Sequence, residues 1–260
     1  MKRLKPERRF WEYLNSMVKN RSIYILPNLF TSANIAAGFY SILEAQKGNF
    51  LIAAWVIMLA VLFDNLDGKV ARLTHTESLF GVEYDSLSDL ISFGVAPAFL
   101  LYVFVLHDFA RLGIIASFLF LLTGALRLAR FNVHASHNSN FIGLPIPGGA
   151  AVAVSLIMVF LKFKIDYNSF ALLFLIVTFF VAFLMISPLK YRSFKKISTT
   201  KGISIRTFAL IIFVLSLVIF KPYIFIPLIS FLYALSGMIE VAYKFLFKKE
   251  ENLNRGVNYE

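Results

Sequence analysis

Four aspartates lie in two neighbouring apolar segments of this chain, as two regularly spaced pairs. Asp64 and Asp67 are three residues apart, and Asp85 and Asp89 are four apart. Both spacings place side chains on one face of an α-helix. A carboxylate at the centre of a membrane helix costs about 2.5 to 3.5 kcal/mol on insertion scales, so such residues usually serve a function. We therefore expect each helix to present an acidic stripe.

The two stripes are expected to meet at one depth. The first helix should end near Arg72 and the second should begin near Gly81, so that at 1.5 Å per residue all four carboxylates lie about 6 to 12 Å from the same membrane surface. Four clustered carboxylates raise each other's pKa unless cations neutralise them. Two divalent ions would do so, and an oxygen-only ligand set favours Mg²⁺ or Mn²⁺, and Ca²⁺ less, over zinc. Such a pair of ions can clamp a phosphoryl group between attacking and leaving oxygens.

Small and basic residues beside the aspartates fit a diphosphate ligand. Gly68, Ala71 and Gly81 would let a bulky diphosphate approach the backbone, and Lys69 and Arg72 offer positive charge to phosphate. Two alternatives remain open from the residues alone: the acids pair with arginines inside the bundle, or they form the cation relay of an ion-coupled transporter. Transport sites usually lie nearer the midplane, in broken and repeated helices, and the sequence shows neither feature.

The elements that carry these residues are membrane spans. Of the 260 residues 58% are hydrophobic and only 16% are charged, and there is no cysteine, which excludes a soluble globule, a disordered chain and a disulfide scaffold. We predict an all-α polytopic membrane protein with about eight transmembrane helices, because eight segments approach the 20 apolar residues that a crossing needs. They are residues 26–45, 50–72, 81–106, 111–129, 147–163, 170–189, 205–220 and 223–247.

The distribution of positive charge predicts the orientation of these spans. With eight crossings, 21 of the 26 Lys and Arg residues fall on the side of the N-terminus, and such an excess marks the cytoplasmic side. Both termini and the acidic site should then be cytoplasmic. This asymmetry also accounts for the net charge of +11 without a nucleic-acid partner. The expected divisions are a basic amphipathic surface segment (1–25), a catalytic membrane domain (26–247) and a cytoplasmic tail (248–260), in a prokaryotic plasma (inner) membrane.

The aspartates form part of a longer motif. From Asp64 the chain reads D-N-L-D-G-K-V-A-R, and after eight residues Gly81, Asp85 and Asp89 follow at four-residue steps. This run resembles the signature of the CDP-alcohol phosphotransferases at all eight fixed positions. Further stretches are similar to the phosphatidylserine synthase branch of that family: L-P-N-L-F-T from residue 26, D-S-L-S-D from 85, S-F-G-V-A-P-A from 92, R-L-A-R-F-N from 127 and G-L-P-I-P from 143.

The resemblance implies transfer of a phosphatidyl group from CDP-diacylglycerol to the hydroxyl of L-serine, with loss of CMP. It implies that Asp64, Asp67 and Asp85 hold two divalent cations and that Asp89 is both a metal neighbour and the general base. The implied CDP site comprises Asp64, Gly68, Ala71, Arg72, Gly81 and Asp85. A homodimer is a further expectation from the family.

The acceptor pocket is the least specified part of the site. Arg127 and Arg130 are three residues apart at one helix end, and Asn132 follows them. We hypothesise that one arginine binds the serine carboxylate and the other a phosphate. A phosphorylated acceptor, glycerol 3-phosphate or inositol phosphate, is an alternative, and an intramembrane prenyltransferase is another. Glu240 has no assigned role, and pairing within the bundle is its default.

Overall fold

The computed structural model describes residues 6–74, 76–134, 141–191 and 205–256. In the first helix side chains are described only from residue 25, and in the last helix only up to residue 239 and at residue 241. The chain is nearly all helical. In chain order the helices are α1 (Pro6–Gln46), α2 (Phe50–Thr74), α3 (Leu79–Phe104), α4 (Arg111–His134), α5 (Ile146–Lys162), α6 (Ala171–Ile186), α7 (Ile205–Phe220) and α8 (Pro222–Gly256).

Each of the eight predicted spans falls on one of these helices. In the described part of the chain, five helices are long and apolar enough to cross a bilayer, namely Phe50–Thr74, Leu79–Phe104, Arg111–Val133, Asn168–Ile186 and Pro222–Ile239, and Ile146–Lys162 is a shorter apolar helix. The nearly all-helical architecture is therefore confirmed, and it is consistent with a membrane protein. The count of eight crossings and the side on which the termini lie stay predictions.

The site-bearing helices pack around α3. Helix α1 lies along α2 and against the first part of α3, while α4 packs on α6, and α5 packs on α2 and α8. The second part of α3 lies in the core, where Leu100 and Phe104 are buried and Phe104 meets Phe174 of α6 edge to face at 5.5 Å. One end of α3 is thus anchored by apolar packing, and its other end carries Asp85 and Asp89.

A short two-stranded sheet joins two loops at one end of the bundle. Strand β1 (Phe141–Ile142) pairs antiparallel with β2 (Lys190–Tyr191), with Phe141 opposite Tyr191. The strands lie after α4 and after α6 respectively. Their pairing shows that the end of α4, the start of α5 and the end of α6 share one side of the bundle.

Helix α3 contains a π-helical segment that the sequence analysis did not predict. The segment Leu90–Val95 separates the α-helical parts Leu79–Asp89 and Ala96–Phe104, and the N–H of Ala96 donates to the carbonyl of Ile91, five residues earlier. π-Segments within α-helices often occur at functional sites. This one begins directly after Asp89, so it changes the register between the acidic part of α3 and the part that packs in the core.

Candidate active site

Three of the four aspartates converge between α2 and α3. One carboxylate oxygen from each of Asp64, Asp67 and Asp85 lies within 4.8 Å of the other two. Asp67 is 4% exposed, and the other two are half-buried. The meeting of two acidic stripes that helical spacing predicted is therefore present for these three residues.

Asp89 lies one helical turn beyond Asp85 and is only 7% exposed. It interacts electrostatically with the carboxylates of Asp64, Asp85 and Asp67 and with the guanidinium of Arg127. The fourth aspartate thus borders the other three on the buried side of the site. That place suits the predicted metal neighbour and base, and the role itself stays a prediction.

The carboxylate cluster fits divalent cations by its chemistry. All its donors are oxygens, which hard cations such as Mg²⁺ and Mn²⁺ prefer. Two oxygens bound to one Mg²⁺ at about 2.1 Å lie at most about 4.2 Å apart, so a spread of up to 4.8 Å suits carboxylates shared by two adjacent ions. Partly buried carboxylates this close also repel one another without a counter-charge. Asp64, Asp67 and Asp85 would therefore hold the ions.

Helix α1 supplies hydrogen bonds to both acidic helices. The Thr31 hydroxyl donates a hydrogen bond to Asp67 Oδ2 at 2.9 Å. The side-chain amide of Asn34 donates one to Asp89 Oδ1 at 3.4 Å. In return, the hydroxyl of Ser88 donates to the Thr31 carbonyl at 3.1 Å. Neither Thr31 nor Asn34 was assigned a role from the sequence, although polar residues three apart inside an apolar span were a usable signal.

The amide of Asn34 is held in a costly environment. Asn34 is fully buried, and its Oδ1 has no hydrogen-bond partner in the described part of the chain. A buried polar atom without a partner costs about 1 to 3 kcal/mol. The opposite amide orientation would turn Oδ1 toward the Asp89 carboxylate, which accepts but does not donate when ionised. Donation to Asp89 therefore determines which way this amide points.

The predicted CDP-binding residues that are not aspartates lie on α2 after Asp67 and in the first turn of α3. The guanidinium of Arg72 lies over Gly68, where an added Cβ would be 3.6 Å from Nη1. Gly81 lies in the first turn of α3, and its N–H donates to the hydroxyl of the N-cap residue Ser78 at 3.0 Å. Ala71 is half-buried on the α2 face that continues from Gly68. These residues have the small size and the charge that a diphosphate needs, and their binding role stays a prediction.

Arg130 makes structural contacts that the sequence analysis did not predict. Its Nη2 donates to the carbonyls of Ile142 at 2.8 Å and Met185 at 3.3 Å, and its Nη1 donates to the carbonyl of Ile186 at 3.3 Å. The side chain thus ties the end of α4 to β1 and to the end of α6. We call this arrangement the arginine clasp. The hypothesis that Arg130 binds serine or phosphate stays untested.

Gly143 makes the arginine clasp possible. Its φ is +82°, a conformation that favours glycine. A Cβ at this position would collide with the carbonyl oxygen of Met185 and approach Nη2 of Arg130 to 2.7 Å. The absence of a side chain at Gly143 therefore allows the chain after β1 to pass close to the end of α6.

Arg127 and Asn132 lie nearer the acidic helices than Arg130 does. Arg127 is buried, with its guanidinium 5.3 Å from the centre of the Phe131 ring, and it interacts electrostatically with Asp89. The Asn132 amide donates to Glu83 at 3.2 Å and to Ser86 at 3.1 Å. Asn132 thus links α4 to the acidic part of α3, and its predicted role in binding substrate is untested. The side chain of Glu240 lies outside the described residues, and so does the pairing expected for it.

Comparison with known proteins identifies the family. Residues 24–184 match the CDP-alcohol phosphatidyltransferase family. A protein of Helicobacter pylori named CDP-diacylglycerol–serine O-phosphatidyltransferase is 37% identical over 235 residues, covering 88% of this chain and 98% of the relative. A Bacillus subtilis protein with the same name is 34% identical over 66% of this chain and 92% of the relative. An archaetidylserine synthase of Methanothermobacter thermautotrophicus is 42% identical over 66% of this chain and 72% of the relative. The chain therefore belongs to the CDP-alcohol phosphatidyltransferase family, whose signature its motif from Asp64 to Asp89 resembles, and it is an enzyme.

Proposed function

We propose that this enzyme transfers the phosphatidyl group of CDP-diacylglycerol to the hydroxyl of L-serine, giving phosphatidylserine and CMP. The observation that carries the proposal is the convergence of Asp64, Asp67 and Asp85 within 4.8 Å at the meeting of α2 and α3. Two of the relatives above are named for this activity, and the match to this chain covers most of their length. Their names support serine as the acceptor, which the carboxylate geometry alone does not specify.

In the proposed reaction the serine oxygen attacks the lipid-side phosphorus of CDP-diacylglycerol. A bond forms between that oxygen and phosphorus, and the bond from phosphorus to the oxygen of CMP breaks. The hydroxyl proton passes to the carboxylate of Asp89, and CMP leaves with the bonding electrons. General-base transfer of this kind contributes about 10² to 10⁴ in rate.

The other residues of the site bind and orient. Two divalent cations, Mg²⁺ or Mn²⁺, held by Asp64, Asp67 and Asp85, would supply charge neutralisation to the diphosphate when bound. Arg72 and the small residues Gly68, Ala71 and Gly81 would receive the diphosphate. Arg127, which is buried beside Asp89, would bind the serine carboxylate. Burial of Asp89 and Arg127 keeps water from these two side chains and strengthens their charge interactions.

The proposed setting is the cytoplasmic leaflet of a prokaryotic inner membrane. The acidic ends of α2 and α3 lie at the side of the bundle to which the positive-inside pattern assigns the cytoplasm. A CDP-lipid in that leaflet would present its nucleotide to the open side of the cluster and keep its acyl chains in the bilayer. The homodimer expected from the family stays a prediction, which cross-linking in membranes would test.

The experiment is an acceptor-dependent release assay with purified protein in detergent. With CDP-diacylglycerol and Mn²⁺, we expect CMP to appear when L-serine is added and not with glycerol 3-phosphate, inositol phosphate or a prenyl diphosphate. Asp85→Asn should lose the activity. The matched control Asp108→Asn, which removes an exposed carboxylate in the loop before α4, should keep it. Release of CMP with another acceptor and not with serine would overturn the proposed substrate.

A further inference from the structure

We infer that Thr31 and Asn34 of α1 are positioning residues that fix the carboxylates of Asp67 and Asp89 in the geometry that the reaction needs. The inference rests on the proposed function, because it assigns these carboxylates to metal binding and to proton transfer. Helix α1 would then be the third wall of the site, although none of the eight signature positions lies on it.

Thr31 connects α1 to both acidic helices. Its hydroxyl hydrogen can satisfy one acceptor at a time, and the Asp67 oxygen at 2.9 Å is nearer than the Pro27 carbonyl at 3.2 Å. Its own carbonyl accepts from Ser88, the residue before Asp89. Thr31 is 4% exposed, so water does not replace it as a donor. One residue thereby relates the positions of Asp67 on α2 and Asp89 on α3.

Asn34 contacts the fourth aspartate from the same face of α1. Its amide donates to Asp89, while its backbone carbonyl accepts from the hydroxyl of Ser92 at 2.8 Å. A residue placed there for packing alone would be apolar, because the buried Oδ1 of Asn34 has no partner in the described part of the chain. The presence of an amide at this buried position therefore indicates that its N–H is needed at Asp89.

Gly38 brings the two helices close enough for these bonds. A Cβ at Gly38 would lie 2.5 Å from the hydroxyl oxygen of Ser92 and 2.7 Å from its Cα. Thr31, Asn34 and Gly38 follow one another at intervals of three and four residues, so they share one helical face. This face is the surface on which the acidic part of α3 rests.

Outer hydrogen-bond partners of metal ligands typically change metal affinity or activity by 10- to 100-fold when they are removed. Without the hydroxyl of Thr31, the Asp67 carboxylate loses one of the hydrogen bonds that hold its orientation. Without the amide of Asn34, the carboxylate of Asp89 loses the donor that orients it. Thr31 should thus act on metal affinity, and Asn34 on turnover.

The first test compares Thr31→Val with Thr31→Ser and with the control Thr178→Val. Thr178 is an equally buried threonine whose hydroxyl donates only to its own helix, at the Phe174 carbonyl. Binding of Mn²⁺ to the substrate-free protein is measured by electron paramagnetic resonance, and turnover is measured by CMP release. We expect Thr31→Val to weaken Mn²⁺ binding 10- to 100-fold, and Thr31→Ser and Thr178→Val to bind Mn²⁺ as the wild type does. Equal Mn²⁺ affinity in all four proteins would overturn the role of Thr31.

The second test uses Asn34→Leu, a substitution of similar volume that removes both the donor and the unpartnered Oδ1. We expect the melting temperature to be unchanged or raised, kcat to fall 10- to 100-fold, and the KM for CDP-diacylglycerol to change less than twofold. A lower melting temperature with wild-type kcat would show that Asn34 has a structural role only, and would overturn the inference.

The two tests also separate this inference from the proposed function. If the wild type binds Mn²⁺ and Thr31→Val weakens that binding, the positioning of Asp67 stands even when serine does not release CMP, and only the acceptor is then wrong. If serine releases CMP and neither Thr31→Val nor Asn34→Leu differs from the wild type in these measurements, the function stands and the positioning inference is wrong.

Discussion

The carboxylate cluster and the arginine clasp lie at one end of the same bundle, and they differ in what their charged groups contact. In the cluster, three like charges converge within 4.8 Å. In the clasp, one cation meets three backbone carbonyls. Clustered like charges need counter-charges, which bound cations would add to the charge of Arg127, whereas the contacts of Arg130 described above are with backbone carbonyls of the protein itself. Both groups came from charged residues near helix ends, so charge and position in the sequence did not distinguish them.

The largest expected effect is on the cluster. Asp85→Asn should lower kcat by about 10³-fold, comparable with the loss of one group that stabilises transition-state charge. The same substitution relieves repulsion among carboxylates, so we expect the metal-free protein to melt at the same temperature or higher. Thermal unfolding with and without Mn²⁺ checks this: Mn²⁺ should stabilise the wild type and have little effect on the variant. A metal-free variant that melts well below the wild type would show that the cluster is structural, like the clasp.

The second effect separates Asp89 from the other three aspartates. Asp89→Asn keeps the shape of the side chain and removes the proton acceptor, so turnover should fall by about 10² to 10⁴. Binding of CDP-diacylglycerol, measured by its stabilisation of the protein against heat, should remain within a few-fold of the wild type. Survival of turnover in Asp89→Asn would exclude Asp89 as the general base.

The third effect tests whether the clasp is structural. Arg130→Ala leaves carbonyls of Ile142, Met185 and Ile186 without their donor, and we expect a loss of about 3 kcal/mol in the free energy of unfolding. Gly143→Ala should destabilise the same region, because it forces β1 away from Met185. Thermal melts in detergent measure both.

Kinetics sharpen the same comparison between the two arginines. The folded fraction of Arg130→Ala should keep the KM for serine, whereas Arg127→Ala should raise it at least tenfold by removing a charge partner of the serine carboxylate. Wild-type serine affinity in Arg127→Ala would exclude that role. A raised KM for serine in Arg130→Ala without loss of stability would show that Arg130 binds substrate and that the clasp is not its main role.

The smallest effect concerns Tyr191, on β2 beside the clasp. Burial raises the pKa of Tyr191 to about 12, and its hydroxyl donates to the Ala234 carbonyl at 2.9 Å. Because the folded pKa lies above the unfolded value near 10, this tyrosine contributes stability that is complete below pH 10 and is lost as the pH rises through 12. Tyr191→Phe should cost about 1 kcal/mol at neutral pH and should reduce the alkaline loss. An unchanged alkaline profile would assign that loss to other residues.

The fold and the acidic cluster could be predicted because both depend on local periodicity. Runs of about 20 apolar residues identify the helices, and spacings of three and four residues put Asp64 beside Asp67 and Asp85 in line with Asp89. The contact between the two acidic stripes could be predicted because only a short connection separates α2 from α3. Each of these inferences needs only neighbours in the sequence.

The remaining features depend on contacts between distant segments. The clasp joins Arg130 to Ile186, 56 residues away, and Asn34 reaches Asp89 across 55 residues. Every residue has a backbone carbonyl that can accept a hydrogen bond. The sequence therefore does not show which arginine will donate to three such carbonyls. The π-segment of α3 likewise has no marker in residue type, and its residues Ser92 and Phe93 are fully buried among segments distant in the sequence.

The π-segment sets the rotation between the two ends of α3. A π-turn takes up one residue more than an α-helical turn, so the same residues wound as a regular α-helix would turn everything beyond Ala96 by about 100°, since each residue of an α-helix contributes that rotation. Either Asp89 would leave the carboxylate cluster or the side chains from Pro97 to Phe104 would swing out of the protein interior. Insertion of a residue into this segment should therefore abolish activity, whereas exchange of one apolar residue for another should be tolerated.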